Sequence, residues 1–414
     1  MRLLILDQFS DPGGAQQCLR DLVPEMLRRN WDLTFMAPGN GPLHADMNKL
    51  GLRCRTLPGG GYGNGEKTLA DAVRYCLDLS ASAARVYCLT RQPAPDVVYV
   101  NGPRLLPLAV LLNRPVVYHA HSRLNKSYAR FIVRKCLLTQ RVDVIASSAF
   151  VAQTLRALSA SLRMKVIYPG VPDQGFPIHE GRSMSRIGIV GRIAPEKGHL
   201  DFVRAAALLS DRRLDVEFAV FGSSMISAKG YEERVRTEAD GLPIRFMGWT
   251  NDVASVLHKL DVLTVPSNAN EAAGRVVIEA LSAGTPVVAY PSGGIPELIR
   301  HEQTGLLTRT PSPESLAEVV QYLLMSPDLR ERIIRAGRSE WYMRFQLPAF
   351  QRDVCNFLEA APTREKGIDQ SAGRFTPRLQ SLEKTIARES RDHEGARLLQ
   401  GPSVSCVNDR SAKL

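Results

Sequence analysis

Two glutamates, Glu271 and Glu279, stand eight positions apart in the run Asn270-Glu271-Ala272-Ala273-Gly274-Arg275-Val276-Val277-Ile278-Glu279. Glu271 falls in a loop just ahead of a helical stretch, flanked by small residues, so a ligand can reach the free backbone amides of Ala273 and Gly274. Glu279 falls about one and a half turns into that helix, placed to accept both hydroxyls of a ribose diol. Its competing local use is an i,i+4 pair with Arg275, worth ~0.5 kcal/mol or less and in the less favourable order. Upstream, Gly191-Arg192-Ile193-Ala194-Pro195-Glu196-Lys197-Gly198 carries two cations on a proline-stiffened loop before a helix. Arg192 can fork onto two phosphate oxygens and Lys197 supplies a compact point charge. The segment falls short of a P-loop, with Glu196 and Gly198 where Gly and Ser/Thr are required, and two solvated surface cations are its plainer reading.

Near the N-terminus, Ser10-Asp11-Pro12-Gly13-Gly14 leads from a first apolar run ending in Asp7 into a helix. Paired glycines at such a turn let backbone N–H groups approach a ligand, and the helix N-terminus suits an anion; a plain tight turn explains the same residues. The dinucleotide fingerprint Gly-x-Gly-x-x-Gly does not occur. Val117-Tyr118-His119-Ala120-His121-Ser122 ends another apolar run, and i,i+2 spacing puts both rings on one face of a strand. Two such histidines can bind metal, but no third ligand is evident, and inert packing is the alternative.

These groups need elements to hold them. Short β-branched runs alternate with helical stretches, the pattern of parallel sheets with crossover helices. Strands are expected at 3–6, 33–35, 97–100, 116–118 and 142–145, with helices at 15–29, 67–88, 126–139 and 149–158. After Tyr168-Pro169-Gly170-Val171-Pro172, which can continue neither helix nor central strand, a hinge is expected near 170–185. The rhythm restarts with strands at 187–190, 216–220, 244–246, 263–265 and 286–290, and closes with an amphipathic helix over 347–360. The expected organisation is an N-terminal domain 1–170, a linker 171–185, a C-terminal domain 186–345, a helix 346–361 and an unfolded tail 362–414. In that tail Leu379, Leu382 and Ile386 could line one face of a short helix.

Composition narrows the class. The chain has 414 residues, 44% hydrophobic and 23% charged, with 53 Lys+Arg against 42 Asp+Glu for a net charge of +11; this is a multi-domain globular composition that invites acidic partners. Seven scattered cysteines without a Cys-x-x-Cys pair argue against a disulfide framework or zinc site and fit a reducing compartment. The opening apolar run stops at Asp7, too early for a signal peptide, and no apolar stretch reaches the length of a bilayer span. A cytoplasmic protein is expected. Lys and Arg are spread without an aromatic-interleaved patch, so nucleic acid is not the expected partner.

Taken together, the glutamate-x7-glutamate run resembles the motif of the retaining GT-B glycosyltransferases of family 4. The loop at 191–198 resembles that family's phosphate loop. Gly284-Thr285-Pro286-Val287-Val288 and Gly293-Gly294-Ile295-Pro296-Glu297 are similar to its C-terminal domain. The resemblance covers residues 1 to about 360, looser in the first half. It implies an α/β, GT-B fold: two Rossmann-like doubly wound domains facing a cleft, with the last helix crossing back. It also implies transfer of a sugar from a nucleotide-sugar (a UDP- or GDP-sugar) to an acceptor hydroxyl with retained anomeric configuration, without metal or cofactor. Arg192 and Lys197 would bind the diphosphate and stabilise the departing phosphate, which would itself help deprotonate the acceptor. Glu279 would hold the ribose and Glu271 would lie beside the donor sugar with Ala272, Ala273 and Gly274. Gly13 and Gly14 would sit against the phosphate and reacting carbon, and Trp249 and Thr250 near the base. A histidine at this strand end contacts the donor sugar in the family, and His121 fits the place better than His119.

Ala272-Ala273 departs from the larger apolar residue or glycine-phenylalanine pair of many relatives, leaving the sugar open. The acceptor would be a glycan or lipid-linked molecule met at loops around Arg104, Arg123, Asn125 and Lys126, in cell-surface polysaccharide or glycolipid synthesis. The positive charge would then serve an anionic membrane surface, at the inner face. A nucleotide-sugar epimerase, a phosphorylase on the same fold and a non-catalytic nucleotide-sugar binder stay as alternatives.

Overall fold

The computed structural model describes residues 1–361 except 12, 60–68, 91–92, 140, 160, 177–183, 213–214, 225–228 and 269–270. Asn270, part of the hinge expected at 170–185 and the tail expected at 362–414 therefore lie wholly or partly outside the described residues. The first sheet holds seven parallel strands: β1 (Arg2–Asp7), β2 (Asp32–Pro38), β3 (Arg53–Leu57), β4 (Val97–Asn101), β5 (Val116–Ala120), β6 (Val142–Ala146) and β7 (Met164–Val166). Their order is β3-β2-β1-β4-β5-β6-β7. The second holds six: β8 (Ser185–Val190), β9 (Val216–Phe221), β10 (Ile244–Gly248), β11 (Val262–Val265), β12 (Val287–Ala289) and β13 (Leu306–Leu307), ordered β10-β9-β8-β11-β12-β13.

Alternate residues of each strand feed separate cores on the two sheet faces. Leu3, Ile5, Phe35 and Tyr99 pack on one side of the first sheet, while Leu4, Leu6, Val98 and Tyr118 pack on the other. The second sheet repeats this with Ile187, Phe218 and Val220 against Leu263, Val265 and Ala289. Burial on both faces is why the strands read as unbroken apolar runs. β3, β7 and β13 are the exceptions that sequence pattern did not disclose. All three are edge or near-edge strands, β3 exposes Arg53 and Arg55, and β13 has two residues. An edge strand is half solvated and needs no apolar run.

In each sheet the strand order reverses beside the first strand, between β1 and β4 and between β8 and β11. In open parallel sheets a ligand crevice opens at the carboxyl ends of the strands at that switch point. The last helix, Leu347–Glu359, follows the second sheet in sequence, yet its Phe350, Val354, Phe357 and Leu358 complete a core of the first. The chain crosses back beside Val171, whose N–H donates to the Phe345 carbonyl while Leu347 N–H donates to the Val171 carbonyl. Gly170 has no alternative there: a Cβ would lie 2.5 Å from Cβ of Phe350.

Candidate active site at the strand ends

β8 ends at Val190, and the turn that follows carries Gly191, Arg192 and a short 3₁₀ segment, Pro195–Lys197. Gly198 then takes φ +74°, and a Cβ on it would lie 1.9 Å from the Pro266 carbonyl oxygen. Only glycine lets the turn press against the loop after β11. That contact brings Lys197 Nζ within 2.6 Å of Glu271 Oε2, to which Ser267 Oγ also donates at 3.1 Å. Burial pushes the Glu271 carboxyl up, but the Lys197 charge and hydrogen bonds from Lys197, Ser267 and the Gly274 backbone outweigh it and hold the group below its ordinary value. Arg192 Nη2 meets Glu196 Oε1 at 2.6 Å. Each expected cation therefore rests on a carboxylate.

Glycines also let the strand ends of the second sheet close up. Gly222, after β9, has φ +153°, and a Cβ there would lie 1.8 Å from the Gly191 carbonyl oxygen. Gly191 N–H donates to the Phe221 carbonyl and Gly222 N–H to the Gly248 carbonyl. This backbone ledge joins the ends of β8, β9 and β10 and carries Trp249 and Thr250 at its far side. Trp249 is half exposed and its Nε1 donates to Asn251 Oδ1 at 3.1 Å.

The loop with Glu271 leads through Gly274, at φ +50°, into the helix Arg275–Ala283. Gly294 N–H donates to the Glu271 carbonyl at 2.7 Å, and a Cβ on Gly293 would lie 2.1 Å from that oxygen. Ala272 packs against the core of the first sheet, so its side chain is turned to the opposite lobe. Glu279 Oε1 accepts from Arg275 Nε at 2.8 Å, which is the local i,i+4 pair set against its ribose role. Burial raises the Glu279 carboxyl, with Arg275 opposing that rise.

In the first lobe, Gly13 caps and Gly14 begins the helix Gly14–Arg28. Beneath them lies Asp7, a residue that sequence reading treated only as the end of a strand. Phe9 N–H and Gln16 Nε2 each donate to its Oδ1 at 2.9 Å, and Asn101 Nδ2 to its Oδ2 at 2.5 Å. Burial raises its carboxyl to about 6 against those hydrogen bonds. A charged residue closing an otherwise wholly apolar run was the available signal.

His119 and His121 lie with ring centroids 3.9 Å apart. His119 Nδ1 is 2.6 Å from the Tyr99 hydroxyl. Nε2 of His121 is buried with no protein partner, and burial lowers its ring to about 3. His121 is thus neutral at ordinary pH and can exchange a hydrogen bond with a ligand without adding charge. Among the described residues no three His, Cys, Asp or Glu side chains gather as metal ligands would.

Polar contacts of Glu297 and Arg275 join the two lobes. Glu297 accepts from the backbone N–H groups of Ala149 and Phe150 and from the Tyr168 hydroxyl, each at 2.7 Å, so the second lobe caps a helix of the first. Arg275 Nη1 stands 2.8 Å from Asp21 Oδ2 on the helix Gly14–Arg28. Neither contact was legible in sequence, because the partners are far apart in the chain.

Comparison with known proteins agrees with this architecture. The model described as glycosyl transferases group 1 matches residues 183–340, and that described as glycosyltransferase family 4 matches 12–174. The chain is 37% identical over 276 residues to 2-deoxystreptamine glucosyltransferase of Streptomyces kanamyceticus, covering 65% of this chain and 66% of that protein. It is 29% identical over 280 residues to sulfoquinovosyl transferase SQD2 of Arabidopsis thaliana, covering 59% and 53%. The chain thus spans about half to two thirds of the length of these two relatives. HepE of Anabaena, solved in complex with UDP-glucose, superposes with a TM-score of 0.73 at 21% identity, over 87% of this chain and 100% of HepE. WaaG, a glycosyltransferase involved in lipopolysaccharide biosynthesis, gives 0.65 at 17% identity, over 86% and 99%. The fold is the two-sheet GT-B architecture.

Proposed function

We infer that this chain, which belongs to the glycosyl transferases group 1, moves a sugar from a nucleotide-sugar donor to an acceptor hydroxyl with the anomeric configuration retained. The observation that carries this reading is the Lys197–Glu271 contact at the end of β8, beside the switch point of the second sheet. Breaking a glycosyl–phosphate bond develops negative charge on the leaving oxygens. Cations fixed in a water-poor crevice are worth most against such charge. Lys197 and Arg192 take the diphosphate, exchanging carboxylate oxygens for phosphate oxygens. Glu271 then faces the donor sugar, with the amides of Ala273 and Gly274 beside it.

Glu279 receives the ribose hydroxyls while keeping Arg275, since a carboxylate offers about four acceptor sites. Gly13 and Gly14 admit the phosphate and reacting carbon from the opposite lobe, and neutral His121 offers its free Nε2 to the sugar. Trp249 and Thr250 flank the base. The leaving phosphate takes the acceptor proton, so neither a dedicated base nor a metal is required. The donor is a UDP- or GDP-sugar.

The acceptor is a glycan or lipid-linked molecule of cell-surface polysaccharide or glycolipid synthesis, met at the inner membrane face by a cytoplasmic enzyme. Charge supports that placement: between Asp96 and Asp143 the chain carries Arg104, Arg114, Arg123, Lys126, Arg130, Arg134, Lys135 and Arg141 and not one carboxylate. Tyr128 and Leu138 are exposed among them. Each such cation near an anionic surface contributes about 1 kcal/mol. Among the described residues no helix is long and apolar enough to cross a membrane.

The test is a screen of UDP-, GDP- and ADP-sugars for thermal stabilisation, followed by turnover in chelator and NMR assignment of the product anomer. Inversion would overturn the retaining step, and failure of every donor to bind would overturn the reading. Equal partitioning onto neutral and anionic liposomes would remove the membrane part.

A further inference from the structure

Arg275 does more than pair with the glutamate four residues along. It opens the helix Arg275–Ala283, directly after Gly274 and four positions after Glu271. Nε donates to Glu279 Oε1 at 2.8 Å, and Nη1 reaches across the lobes to Asp21 Oδ2 at 2.8 Å. The same nitrogen lies 3.4 Å from the Gly170 carbonyl oxygen at the crossing point of the chain and 3.8 Å from Cys18 Sγ. Side-chain exposures of Arg275, Asp21 and Glu279 are only 12%, 13% and 12%. Burial pushes the Cys18 thiol up to about 11, so it is neutral, and one guanidinium answers two carboxylates in a nearly dry interlobe cluster. Removing one partner of such a buried ion set leaves the rest uncompensated, a large effect compared with a surface pair.

The placement gives the cluster a purpose. Asp21 lies two turns into the helix that begins at Gly14, while Arg275 lies in the first turn of the helix that follows Glu271. One side chain therefore ties the middle of one helix to the N-terminus of the other, across the two lobes. Glu297 supplies an independent attachment by capping the helix that starts at Ala149, so the two-lobe form does not hang on Arg275 alone.

We propose that Arg275 is a positioning residue which, anchored on Asp21 of the opposite lobe, presents Glu279 to the donor ribose and so makes nucleotide binding depend on lobe alignment. This rests on the donor reading above. When the lobes are aligned, the guanidinium holds Glu279 Oε1 and leaves the carboxylate facing the ribose. When Asp21 no longer anchors it, Arg275 swings with Glu279 and the diol loses its acceptor.

The experiment compares wild type with Asp21→Asn, Arg275→Ala, Arg275→Lys and the double variant Asp21→Asn/Arg275→Ala. Calorimetry reads binding of UDP, GDP and ADP, and donor KM and kcat are read alongside. Asp21→Asn is isosteric and keeps the Oδ1 that accepts from Gln17 Nε2. Each single loss is expected to weaken the preferred nucleotide about tenfold, as for one charge-assisted hydrogen bond. The double variant is expected to match the singles, Arg275→Lys to recover part, and the effect to fall on KM rather than kcat. Wild-type affinity in a folded Asp21→Asn protein, or multiplying effects in the double variant, would overturn the proposal.

Should wild type bind none of the three nucleotides, the donor reading fails and amide hydrogen exchange decides the clamp itself. Asp21→Asn should then quicken exchange in both residues 14–28 and 275–283; a change confined to 14–28 would overturn the clamp.

Discussion

The turn after β1 and the turn after β8 occupy the same topological place in their sheets, yet they are built from opposite chemistry. The first presents Gly13 and Gly14 above Asp7, a buried carboxyl tied to Gln16 and Asn101. The second presents Arg192 and Lys197, each held by a carboxylate within 2.6 Å. The two turns differ in what each needs before the proposed ligand arrives. A cation exposed in a crevice needs a resident partner to hold it, and Glu196 and Glu271 are that partner. Backbone N–H groups are oriented by the helix that follows, so the first turn needs no counter-charge, only close packing beneath it.

The sharpest way to break the comparison is Lys197→Ala. It removes the charged group from the turn that depends on charge, and kcat is expected to fall roughly a hundredfold or more. Steady-state turnover with the preferred donor measures this, and full activity would mean that Lys197 does not serve the leaving phosphate. The same change strips Glu271 of its cation, so its carboxyl should move upward from its present depressed position.

Two glycine substitutions come next, with opposite expected signatures. Gly198→Ala puts a Cβ 1.9 Å from the Pro266 carbonyl at a positive φ, so a loss of roughly 3 kcal/mol or more is expected from strain and clash. Gly14→Ala meets nothing within 4 Å at the start of a helix. It should leave stability unchanged or raise it by about 0.4–1 kcal/mol, while turnover drops because the methyl occupies the approach proposed for the phosphate. Denaturant melts and donor turnover on both variants test this; an active Gly14→Ala enzyme would reduce the first turn to a structural one.

Asp7 sharpens the contrast through pH. Its folded carboxyl titrates at about 6 because burial raises it, whereas an unfolded Asp titrates near 3.9. The stabilisation tied to the protonated form is complete below the unfolded value and is lost as pH rises through the folded one. Relative to Asp7→Asn, wild type should lose about 2–3 kcal/mol between roughly pH 4 and 7. Urea unfolding of both proteins across that window measures it, and parallel pH profiles would show Asp7 to be an ordinary carboxylate. A small change in stability is expected for Trp249→Ala. The half-exposed ring should alter stability by less than ~0.5 kcal/mol, with nucleotide affinity falling about tenfold as stacking is lost.

The fold class was legible because buried parallel strands cannot hide: Val97–Asn101 and Val142–Ala146 are buried at every position. β3 was not, since an edge strand with Arg53 and Arg55 in solvent carries no apolar run. Within the candidate site, residue types and local spacing were readable, including the Arg275–Glu279 pair at i,i+4. Asp7 was visible but unassigned, because its burden depends on Asn101 and Gln16 arriving from elsewhere.

The amino-acid order by itself set the periodicity that forces two parallel sheets, the glycines at strand ends, and the charged residues available there. Only tertiary packing decided which charges meet. Lys197 finds Glu271, Arg275 finds Asp21, and Glu297 finds a helix of the other lobe through loops whose closure depends on the whole sheet. Hydrophobic patterning is local and repeats along the chain, whereas an ion pair is fixed by positions in space that chain order alone leaves open.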